Sequence, residues 1–396
     1  MICLLRNAFI SSVFACFVVL SGCGTNQAVM SISPDEHGVY HVYPGEEIQT
    51  AIDAAAEDPS HKHVKVHAGI YRPSVPAQAM IYLNARHDGI LLEAEGDVIL
   101  TAANPAISDR SAATYPAIVN HVVYFGDGIS RNTVFRGFKI TGANHYVTRS
   151  EEPVCIERLP HNSPLKKRTF FYQDGGGVKI FGRSYPTIEN LLVYDNYASP
   201  CAGGISIEHQ GFNQDAPLLR NCIFRHNISQ VTGSAVDVLP GSSAAIENCL
   251  FVNNIANTGV DYIGQRSGHE YNKAHGSGAL TVFRGSRATV TRCTFTGNWN
   301  GVDDKGRGNI YRDSIFWKNT APGGISEGQR YEIDITNGSG VSGCWIHGEE
   351  NDLRKTIDPK QNVLNAPDPQ FDDRYRPQAK EYNNVGYHPD PDVSTD

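Results

Sequence analysis

The sequence predicts an all-β solenoid, a single long coil of short parallel strands, and three observations carry that prediction. An apolar triplet with an asparagine five places after its first residue recurs along the middle of the chain. Short Gly-rich segments with period-2 alternation precede the copies, and no stretch of helical periodicity separates them. Strands that short, without crossover helices, cannot build a doubly wound α/β sheet. Coiling lets each strand pair in parallel with its copy about 4.8 Å away.

The chain begins with a segment that reads as processing signal. Arg6 supplies a positive start, and Ala8 to Leu20 is an apolar run too short to span a bilayer comfortably. The run ends in Leu20-Ser21-Gly22-Cys23, which resembles the lipobox of bacterial lipoproteins. That resemblance implies removal of residues 1–22, lipid attachment at Cys23 and export. Gly24 in place of aspartate implies an outer-membrane or cell-surface destination, with residues 23–40 as a linker. Removing residues 1–22, which hold Arg6 and no acid, leaves 33 basic against 42 acidic residues, a net charge of −9. That balance gives no footprint for nucleic acid. The membrane is expected as a partner only through the anchor, and the protein is expected to be a monomer.

Residues 41–348 are expected to form the coil. Its start is Val42-Tyr43-Pro44-Gly45 followed by a helix in which Ile48, Ala51, Ile52 and Ala55 share one face, suited to plugging an open coil end. The repeats are Leu191-Leu192-Val193 with Asn196, Cys222-Ile223-Phe224 with Asn227, and Cys249-Leu250-Phe251 with Asn254. Cys293-Thr294-Phe295 with Asn298 and Ser314-Ile315-Phe316 with Asn319 continue the series, and weaker copies begin at Phe138 and Cys344. The asparagines are spaced 31, 27, 44 and 21 residues apart, one coil plus variable connections. Stacking predicts an interior ladder of Phe224, Phe251, Phe295 and Phe316. It also predicts an asparagine ladder, chosen because asparagine tolerates left-handed backbone and its amide satisfies neighbours above and below. Cys222, Cys249, Cys293 and Cys344 recur in register and read as buried thiols. Cys155 and Cys201 fall outside that register and are the pair left for a disulfide, which an exported protein permits.

These repeats, with the leading strand, the cap helix and His67-Ala68-Gly69-Ile70-Tyr71, resemble the right-handed parallel β-helix proteins of the pectate lyase superfamily. The resemblance covers about residues 40 to 348. It implies a single-stranded right-handed β-helix and a carbohydrate-directed surface formed by the Gly-rich strands. The outward positions on those strands are Lys179, Ser206, Asp237, Thr281 and Asp303, with Glu208, His209, Arg284, Asp304 and Lys305 at the strand ends.

Two chemistries can be weighed on that column. A polysaccharide lyase must neutralise a uronate carboxylate and remove the neighbouring proton. Glu208, Asp237 and Asp303 are candidate ligands for Ca²⁺, and Lys179, Lys305 or Arg284 candidate bases or carboxylate clamps. A glycoside hydrolase needs two placed carboxyl groups. The acid motifs of polygalacturonase-like relatives are replaced here by Gly176-Gly177, Ala202-Gly203-Gly204 and Ser234-Ala235, which counts against hydrolysis. Two insertions interrupt the coil, near 148–172 and 259–276. The second carries Tyr262, Arg266, His269, Tyr271 and Lys273, a mix suited to sugar stacking and carboxylate recognition.

The expectation is a β-eliminating enzyme on an acidic polysaccharide. The alternative is a non-catalytic carbohydrate-binding or structural surface protein. The tail 349–396, rich in Pro, Asp and Asn, is expected to pack on the coil. Leu192, Ile223, Leu250, Ile315 and Trp345 should point outward although most are apolar, so something should cover them.

Overall fold

Each repeat of the sequence becomes one turn of a parallel β-helix. The computed structural model describes residues 32–74, 77–103, 119–143, 175–198, 201–259, 278–320, 330–335, 338–348 and 357–389. The coil has three faces. The first is an eight-stranded parallel sheet running from Ala77–Leu83 and Val119–Phe125 through Val178–Phe181, Ile205–Glu208, Val236–Val238, Leu280–Val282 and Val302–Asp304 to Ile333–Ile335. Thr187–Glu189, Leu218–Arg220, Ser243–Glu247, Arg287–Thr291 and Ile310–Arg312 belong to the second face. Leu192–Tyr194, Ile223–Arg225, Leu250–Val252, Thr294–Thr296 and Ile315–Trp317 belong to the third. The long strand Leu91–Thr101 pairs with both Val134–Arg136 and Lys139–Thr141, so the second and third faces diverge from it.

The predicted columns are present. Phe224 stacks on Phe251 at 4.9 Å, Phe251 on Phe295 at 4.3 Å and Phe295 on Phe316 at 5.1 Å, all fully buried. Cys222, Cys249, Cys293 and Cys344 are buried thiols. The Cys222 amide donates to the Cys249 sulfur and the Cys249 amide to the Cys293 sulfur, each at 3.4 Å, so sulfur fills a polar role as well as an apolar one. Burial pushes the Cys249 thiol well above its ordinary pKa and the Cys344 thiol to about 12, which keeps both protonated. Cys201 is buried, while Cys155 lies outside the described residues, as does the disulfide expected between them.

The asparagine ladder runs one way. Each amide nitrogen donates to the next side-chain oxygen: Asn196 to Asn227 at 3.1 Å, Asn227 to Asn254 at 3.0 Å, Asn254 to Asn298 at 2.9 Å and Asn298 to Asn319 at 2.7 Å. The same nitrogens donate to the carbonyls of Ile140, Val193, Phe224, Phe251 and Phe295 one turn back. The ladder ends on Glu332, buried and bonded to Asn319, because a carboxylate accepts where another amide would still have donors to place.

The left-handed backbone expected of these asparagines belongs instead to the residue before each. Asp195, His226, Asn253, Gly297 and Lys318 have φ of 50°, 55°, 54°, 65° and 53°. A second left-handed series, Asn190, Asn221, Asn248, Arg292 and Asp313, precedes the Cys column. The buried amide is therefore selected for its hydrogen bonds, and the strained φ falls on a neighbour that can face outward.

The second face carries an outward column that alternates in sign. Lys65, Glu93, Arg136, Glu189, Arg220 and Glu247 are successive register partners, with ion pairs Lys65–Glu93 and Arg136–Glu189 at 3.9 Å and a closer pair between Arg220 and Glu189. At the N-terminal end, Ile48, Ala51, Ile52 and Ala55 of the helix Ile48–Glu57 are buried and join the main core.

On the third face the apolar stripe is covered by the C-terminal segment. Leu192, Ile223, Leu250 and Val252 cluster with Tyr387, and Ile315 and Trp317 with Ala366 and Tyr382. The segment is tied down by Tyr387 N to Thr294 Oγ1 at 2.9 Å and by a reciprocal pair of 2.8 Å bonds between Asn248 and the His388 backbone. Val363–Leu364 pairs with Trp345–Ile346, which carries the third face beyond residue 348.

Removing one rung should be costly. Asn254→Ala strands buried donors on Asn227 and a buried acceptor on Phe224, and is expected to lower the unfolding free energy by about 3–5 kcal/mol, read from urea midpoints. Asn253→Gly, at the exposed left-handed position beside it, should change the same midpoint by about 1 kcal/mol or less.

Candidate functional site

The three corners of the coil differ sharply. Between the second and third faces the connection is always two residues, such as Asn190-Leu191, Asn221-Cys222 and Asn248-Cys249. Between the third face and the first it ranges from 5 residues, after Thr296, to 36, after Thr141. Both predicted insertions leave at this one corner, beside the first face. Tyr262, Arg266, His269, Tyr271 and Lys273 belong to its 27-residue connection, between Val252 and Leu280, and lie outside the described residues. In solenoids, excursions gathered on one side often lie on a binding face.

Register on the first face brings Tyr82, Tyr124, Lys179, Ser206, Asp237, Thr281, Asp303 and Asp334 into a single column. Their neighbours Val178, Ile180, Ile205, Val236, Leu280 and Val302 all point into the core, which turns this column outward. The column is not the open groove floor that the sequence suggested. Lys179, Ser206, Asp237, Thr281 and Asp303 are each 0% exposed.

Burial forces partnering. Lys179 Nζ lies 2.6 Å from Glu208 Oε2 and 3.1 Å from Ser206 Oγ, and Lys305 Nζ lies 3.0 Å from Asp303 Oδ2. Two of the three candidate bases are thus ion-paired. The third, Arg284, is an exposed turn residue. Asp304 is the last residue of its strand, Val302–Asp304. Its register partners are Val282 and Ile335, so it points inward, where it accepts hydrogen bonds from Asn309 Nδ2 at 2.7 Å, Gly306 N at 2.8 Å and Ser339 Oγ at 2.7 Å. Burial raises its pKa against those bonds.

Asp237 occupies the middle of the column. Its Oδ2 accepts from Thr232 Oγ1 at 2.7 Å, while its buried Oδ1 has no hydrogen-bond partner among the described residues. Burial pushes its pKa to about 7, opposed by the Thr232 bond and the charge of Lys305 and reinforced by Asp303. The carboxyl packs against Gly233, at φ 53°, where any side chain would collide with it. His209, at the strand end, is also buried. It bonds to Ser184 O through Nε2 at 3.0 Å, and burial lowers its pKa to about 4, which keeps it neutral.

The residues nominated for Ca²⁺ do not converge. Asp237 and Asp303 are two coils apart, roughly 10 Å at the 4.8 Å strand spacing. Ligands of one calcium ion lie 2.3–2.6 Å from it, so their oxygens are at most about 5 Å apart. Glu208 is committed to Lys179. Among the described residues no group of three or more His, Cys, Asp or Glu is placed to hold a metal ion.

What the molecule presents is therefore a parallel β-helix with one polar, buried column beside its most variable corner. Its sequence matches the family model of the right handed beta helix region in two overlapping stretches, residues 86–273 and 213–353, which together span more than half of the chain. The chain belongs to that family. No curated protein and no solved structure matches it.

A raised carboxyl pKa has a definite stability consequence. The folded state holds a proton on Asp237 that the unfolded chain has released between pH 4 and pH 7. This contribution is fully present below about pH 4 and is lost as pH rises through 7. Asp237→Asn keeps the shape and removes the ionisation, so it is expected to stabilise the protein at pH 8 by about 2–4 kcal/mol, and by much less at pH 4, in urea unfolding at the two pH values.

Proposed function

We propose that this chain is a carbohydrate-active protein that degrades an acidic polysaccharide by β-elimination, with the polymer bound along the first face at the variable corner. The observation that carries the reading is Asp237, a carboxyl in the centre of that face whose pKa near 7 lets it take and return a proton at physiological pH. In β-elimination a base removes the proton beside the uronate carboxylate, and the electron pair expels the glycosidic oxygen. Asp237 suits the proton transfer better than Lys179 or Lys305, whose ammonium groups are held by Glu208 and Asp303. Tyr262, Arg266, His269, Tyr271 and Lys273 remain the proposed sugar contacts. Since Asp237 is buried, the face must open before the polymer reaches it. Calcium has no fitted place among Glu208, Asp237 and Asp303, and no step is routed through it.

A second reading, non-catalytic binding of glycan, is favoured by the same burial and by the two ion pairs, which are what a purely structural column would show. We also propose export and lipid anchoring at Cys23, outside the described residues, with the β-helix displayed as a monomer at the cell surface.

Incubation of residues 24–396 with pectate, alginate and glycosaminoglycans, with and without EDTA, should give unsaturated product on one of them by absorbance. Asp237→Asn should cut the rate by about 100-fold or more while leaving glycan binding intact. Binding without product on any polyanion would favour the second reading. Radiolabelled fatty acid should be incorporated by the full chain in bacteria and lost in Cys23→Ser.

A further inference from the structure

The chain carries a net charge of −8, yet residues 278–312 hold six basic side chains, Arg284, Arg287, Arg292, Lys305, Arg307 and Arg312, against two acids, Asp303 and Asp304, both buried. Four of these cations fall at the corner leading from the first face to the second. Phe283-Arg284-Gly285-Ser286 turns that corner after the strand Leu280–Val282, with Arg287 directly behind it, and residues 305–309 turn it one coil later, after Val302–Asp304. Pairing of the flanking strands sets the two turns one above the other, about 4.8 Å apart. Val282 is the register partner of Asp304, the Lys305 amide donates to Val282 O at 2.7 Å, and the Ala288 amide donates to Asn309 Oδ1 at 2.7 Å. Arg284 and Arg287 therefore adjoin the turn that carries Arg307.

Lys305 is already held, by Asp303 at 3.0 Å and over the Phe283 ring. The three arginines are different: each is exposed, and among the described residues none of their side chains has an ion pair or hydrogen bond. Asp215 reaches the same corner from the turn above, where its carbonyl accepts from Ser243, the register partner of Arg287, but its carboxylate is turned to Arg131 at 3.7 Å. Like charges gathered in two adjacent turns repel one another, so the free energy of this corner falls when an anion arrives. The backbone between the arginines is bare. Gly285 and Gly308 have φ of 80° and 69°, and a Cβ at Gly308 would meet nothing within 4 Å. An anionic membrane would call for exposed apolar side chains beside the charge, but the exposed large hydrophobics Tyr43 and Ile70 lie at the N-terminal end of the coil. A nucleic acid would call for a free ring to stack on, and Phe283 has Lys305 over its face.

We propose that Arg284, Arg287 and Arg307 form a binding strip for the carboxylate or sulfate groups of an acidic polysaccharide, gripping a polymer on the first face from the side opposite the variable corner. Each guanidinium presents paired N–H donors that match two oxygens of such a group. The strip borders the column directly, since Arg284 stands three residues after Thr281 and Arg307 four after Asp303. The inference rests on the acidic-polysaccharide reading for its ligand, but not on Asp237 or on β-elimination.

The test measures binding apart from turnover, by titrating pectate, alginate, heparin and neutral dextran into the chain carrying Asp237→Asn. At least one polyanion is expected to bind and dextran is not. Binding should weaken by about 10-fold or more between about 0.01 M and 0.1 M salt, as the screening length falls from about 30 Å to about 10 Å. Arg284→Gln, Arg287→Gln and Arg307→Gln should each weaken it by about 3- to 10-fold, and the triple variant by about 100-fold or more, at an unchanged melting temperature. Arg220→Gln, whose partner is Glu189, should change it by less than about 2-fold. Undiminished binding in the triple variant, no binding of any of the three polyanions, or equally tight and equally arginine-dependent binding of duplex DNA or phosphatidylserine vesicles would each overturn the proposal. Arginine-dependent binding without unsaturated product from the unmodified chain would uphold the strip and sink β-elimination, whereas product with unchanged binding in the triple variant would do the reverse.

Discussion

The interaction on which the rest of this structure depends is the one-directional amide ladder from Asn196 to Asn319. Each rung uses both of its donors, one to the next side chain and one to the carbonyl a turn back, and its oxygen receives a side-chain and a backbone donor from the turn before. Saturation matters because the ladder is fully buried, where a single stranded donor or acceptor costs about 1–3 kcal/mol. A ladder with a direction must also end correctly. At its N-terminal end the Asn196 oxygen receives the Ala143 amide, and at the other end Glu332 supplies an acceptor with nothing to donate. The polar chain is thereby closed at both ends inside the protein.

That closure fixes geometry. The amide must sit five residues after the Cys column in each turn of the ladder, where the connection before the third face is held at two residues and its strand at three. Variation in chain length is then greatest after the ladder, at the corner leading to the first face, and smaller, from 4 to 9 residues, at the corner leading out of it. The alternating charges on the second face support the same register from outside: displacement by one turn sets Glu93 opposite Glu189 and Arg136 opposite Arg220, like against like. Displacement by one residue turns the Phe column out of the core.

Much of this was legible in the sequence because it repeats. The cap helix face, the phenylalanine stack, the thiol column and the outward apolar stripe were all visible as residues recurring at fixed offsets. What was not legible arises across turns whose separation changes from 31 to 27 to 44 to 21 residues, which hides neighbours from a linear reading. Glu332 stands 13 residues beyond Asn319, outside the five-residue rule, so nothing local marks it as the ladder terminus. The alternation of Lys65, Glu93, Arg136, Glu189, Arg220 and Glu247 appears only once the strands are paired. The left-handed residue was misplaced by one because asparagine satisfies two requirements at once, and the buried amide bonds decide which position it occupies. Asp303 and Asp304 are adjacent in sequence, yet pleating sends one side chain outward to Lys305 and the other inward to Asn309.

The burial of Asp237 is the feature least deducible from pattern, and the architecture explains how the fold tolerates it. A solenoid gains stability turn by turn, each coil resting on its two neighbours, so a destabilising group in one turn is not shared with distant ones. The turn holding Asp237 also contains Asn254, Cys249 and Phe251, three rungs of the three interior columns. The stacking that saturates those rungs offsets a carboxyl that burial keeps half-protonated at neutral pH. Thr232 and Gly233 pack against that carboxyl and, while the face is closed, keep water from it and hold its pKa up. A buried acid with a raised pKa and a saturated ladder in one turn are thus two consequences of a single register.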